Sequence, residues 1–134
     1  MKRSRSLDLR GLVAAARAAR AHAHAPYSRF KVGAAVVDER GRVHVGCNVE
    51  NASYGLTVCA ERNAVGAAVV AGAKRLLGIA VITAARPFGT PCGACRQVLA
   101  ELAADDVPVV LAAPTGATVE ATTLGELLPA AFRL

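Results

Sequence analysis

Leu76-Leu77-Gly78-Ile79-Ala80-Val81-Ile82-Thr83, followed through a proline-bearing loop at 84–91 by a helical stretch at 92–104 and then Val107-Pro108-Val109-Val110-Leu111-Ala112, sets the architecture of this chain. Both apolar runs have strand length and are rich in β-branched residues, and the segment between them has helix length. Working outward toward the N-terminus, residues 58–71 form a second helical pattern that Gly72 can stop in a left-handed conformation. Before it, the β-rich runs 31–38 and 43–48 are joined by Asp38-Glu39-Arg40-Gly41, a hairpin pattern, and residues 50–56 are a polar loop. Residues 7–24 form an alanine-rich helix with the apolar stripe Leu9, Leu12, Val13, Ala16 and Ala19, and Pro26 is its expected stop. Toward the C-terminus, a short strand near 118–120 and a short helix at 124–128 complete the pattern. Helices that alternate with strands after an opening hairpin predict an α/β layered domain around a mixed sheet.

The same stretch carries the chemistry. Cys92 and Cys95 are three apart at the start of one helix, so their sulfurs share a face, and Cys59 opens another helix. Unpaired N–H groups and the macrodipole at helix starts favour thiolates. Three thiolates suit zinc, whereas magnesium and calcium prefer oxygen. A closed structural zinc site uses four protein ligands, and a catalytic one supplies three and leaves room for water. Glu61, two residues after Cys59, is placed to act as the acid/base beside it. Arg62 is a compensator for the net negative charge of a trithiolate site, through hydrogen bonds to ligand sulfurs. An isolated Glu61 would read as an ordinary first-turn carboxylate; the downstream Pro91-Cys92-Gly93-Ala94-Cys95 tips it toward the chemistry of a hydrolytic deaminase.

Other features narrow the function. The chain has 134 residues, enough for one domain (1–134) with its own core, and residues 1–6 read as a flexible basic N-terminus. No apolar run is long enough to span a bilayer and no secretory signal opens the chain, so the expected location is cytoplasmic. Four cysteines in such a chain point to metal or catalysis rather than disulfides. The net charge of +6 raises nucleic acid as a partner, but the charges are scattered and the chain has no Trp, two Tyr and three Phe, so few stacking platforms exist. Cys47 reads as a small buried hydrophobe, and His22, His24 and His44 as solvent-exposed.

Asn48-Val49-Glu50-Asn51-Ala52-Ser53-Tyr54-Gly55-Leu56-Thr57-Val58-Cys59-Ala60-Glu61-Arg62 resembles the core of the small zinc-dependent cytidine deaminases. So do Pro26-Tyr27-Ser28-x-Phe30-x-Val32-Gly33-Ala34-Ala35 and Pro91-Cys92-Gly93-Ala94-Cys95-Arg96-Gln97-Val98-Leu99. The resemblance implies a three-layer α/β/α sandwich around a mixed, mostly five-stranded sheet. It implies one zinc per chain on Cys59, Cys92 and Cys95, with Glu61 as proton shuttle. Asn48 and Glu50 match positions that bind the sugar hydroxyl, Phe30 one that packs on the base, the Ala60 N–H one that holds the pyrimidine carbonyl, and the Thr90 carbonyl one that receives the amino group. The implied substrates are cytidine and deoxycytidine, in pyrimidine salvage. A cysteine as first ligand favours the homotetrameric type, with Tyr54 and Phe132 at positions that meet neighbouring subunits. The rival readings are a deaminase of a modified aminopyrimidine nucleoside such as blasticidin S, a nucleic-acid-binding or editing protein on the same zinc fold, and a catalytically idle zinc protein.

Overall fold

Apolar residues on the central strands of the computed structural model, which describes residues 8–134, are buried on alternating faces. Ala34, Val36, Ile79, Val81, Val109 and Leu111 belong to one buried cluster, and Ala35, Ala80, Ile82, Val110 and Ala112 to another. Successive strand side chains point to opposite faces, so strands buried on both need a layer on each side. Helix α1 (Leu9–Arg20) covers one face with Leu12, Val13 and Ala16. Helices α2 (Ala60–Val70) and α3 (Gly93–Leu102) cover the other, through Ala64, Val65, Ala68, Leu99 and Ala100.

The sheet holds β1 (Gly33–Asp38), β2 (Val43–Cys47), β3 (Leu76–Ile82), β4 (Pro108–Ala112) and β5 (Val119–Thr123) in the order β2-β1-β3-β4-β5. The β3–β4 pair is parallel and the other three are antiparallel. This is the three-layer sandwich around a mixed five-stranded sheet that the resemblance implied. Gly33 pairs with both Cys47 and Ile82, so the start of β1 and the ends of β2 and β3 share one edge. In open α/β sheets, ligands bind outside the carboxyl ends of the parallel strands. Here α3 begins just beyond β3, and an antiparallel bridge from Val49 to Val58 brings the start of α2 to the same edge.

Four expectations need correction. The first helix ends at Arg20, well before Pro26. The His24 N–H donates to the Asn48 carbonyl at 2.9 Å and the His24 carbonyl accepts from Glu50 N–H at 2.8 Å, so this residue forms a parallel bridge with Val49 and not a helical turn. His44 is not exposed either: its Nε2 lies 2.8 Å from the fully buried Asp38 carboxylate. The last strand is longer than the 118–120 segment, and helix α4 (Leu124–Leu127) follows it directly through a capping box between Thr123 and Glu126. Cys47 is half-buried, and its carbonyl accepts from the Asn63 side chain at 2.9 Å. The basic segment 1–6 lies outside the described residues, among which no helix is long and apolar enough to cross a membrane.

Candidate active site

Two helix starts bring three sulfurs together. Cys59 is the N-cap residue of α2, Cys92 is that of α3, and Cys95 sits in the first turn of α3. Neither cap side chain bonds the backbone, so both thiols are free to face the other helix. The Cys59 and Cys92 sulfurs are 3.9 Å apart, those of Cys92 and Cys95 are 3.4 Å apart, and all three lie within 4.8 Å of one another. Sulfurs around a tetrahedral zinc, each about 2.3 Å from the metal, stand roughly 3.8 Å apart. The spacing and the soft donor set therefore fit zinc, and a hard cation would find no oxygen ligand in the set.

The approach of α2 to the sheet depends on Gly46. A β-carbon there would overlap the Ala60 carbonyl and the Ala64 amide, both in the backbone of α2. With the Asn63–Cys47 bond, this contact seats the first turn of α2 against the end of β2.

The electrostatics follow from this packing. The neighbouring Cys95 thiol, assisted by Arg62 and Cys92 and opposed by burial, pulls the Cys59 thiol down to about 5. The same pairing pushes Cys95 upward, because one thiol holds its proton toward the other's sulfur. Arg62 Nη2 stands 3.6 Å from Cys59 Sγ. Glu61 is 4% exposed, and burial, assisted by Cys59, pushes its carboxyl up to about 7 against its own backbone amide and Arg62.

Phe30, Asn48, Glu50, Cys59, Ala60, Glu61, Thr90 and Cys92 all line one cavity of about 340 Å³, at the small end of small-molecule sites. Cys95 is buried with its sulfur against Cys92. Tyr54 lines an adjoining pocket with Tyr27, Ser28, Glu50 and Thr57, and its ring centroid is 5.9 Å from that of Tyr27. Phe132 is 70% exposed and lines neither space.

Asn48 and Glu50 also shape the cavity rim. Asn48 Oδ1 accepts from the Val32 N–H at 2.9 Å, and its Nδ2 donates to the Phe30 carbonyl at 2.8 Å. Glu50 Oε1 accepts from the N–H groups of Tyr27 (3.0 Å) and Ser28 (3.1 Å), and Oε2 accepts from the Ser28 hydroxyl. That hydroxyl and the two amides outweigh burial and hold the Glu50 carboxyl below its ordinary value. One Asn48 N–H and one lone pair on Glu50 Oε2 remain for a ligand.

Sequence reasoning passed over Ser28 and Thr83, which line the same cavity. Ser28 lies in the Pro26-Tyr27-Ser28 segment, yet nothing in its spacing points to Glu50. Thr83 had no signal beyond being the polar last residue of an apolar run.

The family described as "Cytidine and deoxycytidylate deaminase zinc-binding region" matches residues 8–111. The chain is 44% identical to the cytidine deaminase of Sporosarcina psychrophila over 94% of its own length and 92% of the relative's. It is 47% identical to that of Halalkalibacterium halodurans, covering 94% and 95% of the two chains. A crystal structure of cytidine deaminase from Burkholderia pseudomallei superposes with a TM-score of 0.86 at 51% identity, covering 92% of this chain and 98% of that one. With three thiols converging at two helix starts and this extent of likeness, the chain belongs to the cytidine and deoxycytidylate deaminase family.

Proposed function

We infer that this protein is a zinc-dependent hydrolase that deaminates cytidine and deoxycytidine to uridine and deoxyuridine, with release of ammonia, in pyrimidine salvage. The observation that carries the reading is the trithiol cluster opening on the same small cavity as the buried Glu61 carboxylate. Cys59, Cys92 and Cys95 would hold one zinc, which when bound supplies the Lewis acidity that activates water near neutral pH.

The remaining work falls to side chains and backbone. Glu61 takes a proton from the attacking water and delivers it to ring N3, and a second transfer carries a proton to the leaving amine; one carboxylate suffices because the steps are sequential. The helix starts and Arg62 offset the negative charge of three thiolates. The Ala60 N–H, in the first turn of α2 where amides lack helical partners, donates to the pyrimidine carbonyl. The Thr90 carbonyl accepts from the amino group, and Phe30 packs on the base. Asn48 and Glu50 bond a sugar hydroxyl, a contact that discriminates against analogues lacking it. The family resemblance puts Tyr54 and Phe132, 75% and 70% exposed, at the subunit contacts of a homotetramer. A cytoplasmic location goes with this reading.

The test is turnover of cytidine and deoxycytidine followed by ultraviolet absorbance, with zinc content and sedimentation measured on the same sample. Blasticidin S and single-stranded RNA serve as comparison ligands. Conversion to uridine supports the reading. Turnover confined to blasticidin S, or salt-dependent strand binding with no nucleoside turnover, would overturn it.

A further inference from the structure

We propose that Thr83 is a positioning residue for the deamination, its hydroxyl pinning the cavity wall formed by residues 84–90. The proposal rests on the reading above, in which the Thr90 carbonyl receives the amino group. Thr83 stands just past β3, and its N–H still donates to the Ala112 carbonyl at 3.3 Å, so its backbone is fixed to the sheet. The residue is 4% exposed and lines the cavity.

Its Oγ1 accepts from the N–H of Ala85 and from the N–H of Gly89, both at 3.2 Å. A hydroxyl offers two acceptor lone pairs and one donor, so both acceptor positions are used on the wall. One oxygen therefore ties together the two ends of the loop. The approach is close enough to require glycine: a β-carbon at Gly89 would lie 2.7 Å from Oγ1 and 3.1 Å from the Thr83 methyl.

The far side of Thr90 is fastened as well. Arg96 donates from Nε to the Pro91 carbonyl at 2.7 Å and from Nη2 to Thr90 Oγ1 at 3.0 Å. Its Nη1 donates to the Leu127 carbonyl at 2.6 Å, which braces the guanidinium against α4. The Thr90 peptide is thus suspended between two fixed points, directly before the Cys92 ligand. Holding the wall in place orients the carbonyl that meets the departing amine, so the effect falls on kcat more than on KM.

Thr83→Val keeps the shape and removes the oxygen; Thr83→Ser keeps the oxygen. The measurements are amide hydrogen exchange at Ala85 and Gly89, zinc content, and kcat and KM for cytidine. In Thr83→Val both amides should exchange about tenfold faster or more. Its kcat/KM should fall on the order of tenfold to a hundredfold with zinc retained. Thr83→Ser should restore both. Unchanged protection in Thr83→Val, or a Thr83→Ser variant as impaired as the valine, would overturn the proposal. If Thr83→Val does not fold, Gly89→Ala, which forces the same pair apart, replaces it. A wild-type protein inactive on cytidine would defeat the functional reading and not the clamp, which the exchange rates judge alone.

Discussion

Replacing Gly46 with alanine would force the cysteine-bearing helix away from the sheet. The added methyl would overlap the Ala60 carbonyl and the Ala64 amide and lie 3.0 Å from the Asn63 carbonyl carbon. All three are backbone atoms of one helix, so no side-chain rotation relieves the clash; α2 or β2 must shift. Overpacking of this kind costs about 1–3 kcal/mol. In a domain of this size that corresponds to a melting temperature lower by about 4–12 °C. The displaced turn carries Cys59 and Glu61, and a misplacement near 1 Å costs on the order of a hundredfold in rate. Gly66→Ala, in the same helix, is the control: nothing lies within 4 Å of its β-carbon position. Helix propensity then predicts a gain of about 0.5–1 kcal/mol and normal activity. Scanning calorimetry and cytidine turnover on both variants read the result. A Gly46→Ala protein that melts with the parent and turns over normally would show that helix and strand have slack, and would refute the reasoning.

Acid stability reports on the hairpin end of the sheet. Burial raises the Asp38 carboxyl, but His44, the Arg42 and Arg40 amides and the Arg42 guanidinium together hold it well below the usual carboxylate range. A depressed folded-state value gives stability that is complete above the unfolded value of about 3.9 and is lost as pH falls below it. Asp38→Asn should flatten that acid limb in urea titrations and cost on the order of 3 kcal/mol at neutral pH; an unchanged limb would count against the cluster. Arg62→Ala should retain zinc and most of its melting temperature while kcat drops, because its Nη2 serves the Cys59 sulfur. Unchanged turnover with zinc fully retained would remove Arg62 from the site.

What the sequence made legible was local or periodic. The strand–helix alternation, the left-handed stop at Gly72 (φ 93°) and the placement of Cys59 and Cys92 at helix starts all follow from short-range pattern. The three-cysteine cluster was legible because metal geometry restricts ligand spacing within each segment. Contacts between distant residues left no such trace. His44 meets the buried Asp38 across a hairpin as a half-buried partner, where composition alone suggests exposure. His24 leaves the helix because backbone groups of Asn48 and Glu50 claim its N–H and carbonyl, a tertiary effect that overrides an alanine-rich pattern. Ser28 joins Glu50 through its hydroxyl and its N–H, and Thr83 joins Gly89 through its hydroxyl; no motif encodes either pairing. The loop 84–91 was legible as a loop from its prolines, but not the oxygen that closes it.

The most direct measurement compares the parent protein with Glu61→Ala, scoring zinc per chain and cytidine turnover on the same samples. One zinc per chain in both is expected, with turnover in the variant reduced by about 10²–10⁴-fold or more, since the carboxylate moves every proton in the reaction. Near-normal turnover in Glu61→Ala with its zinc in place would contradict the mechanism at its centre.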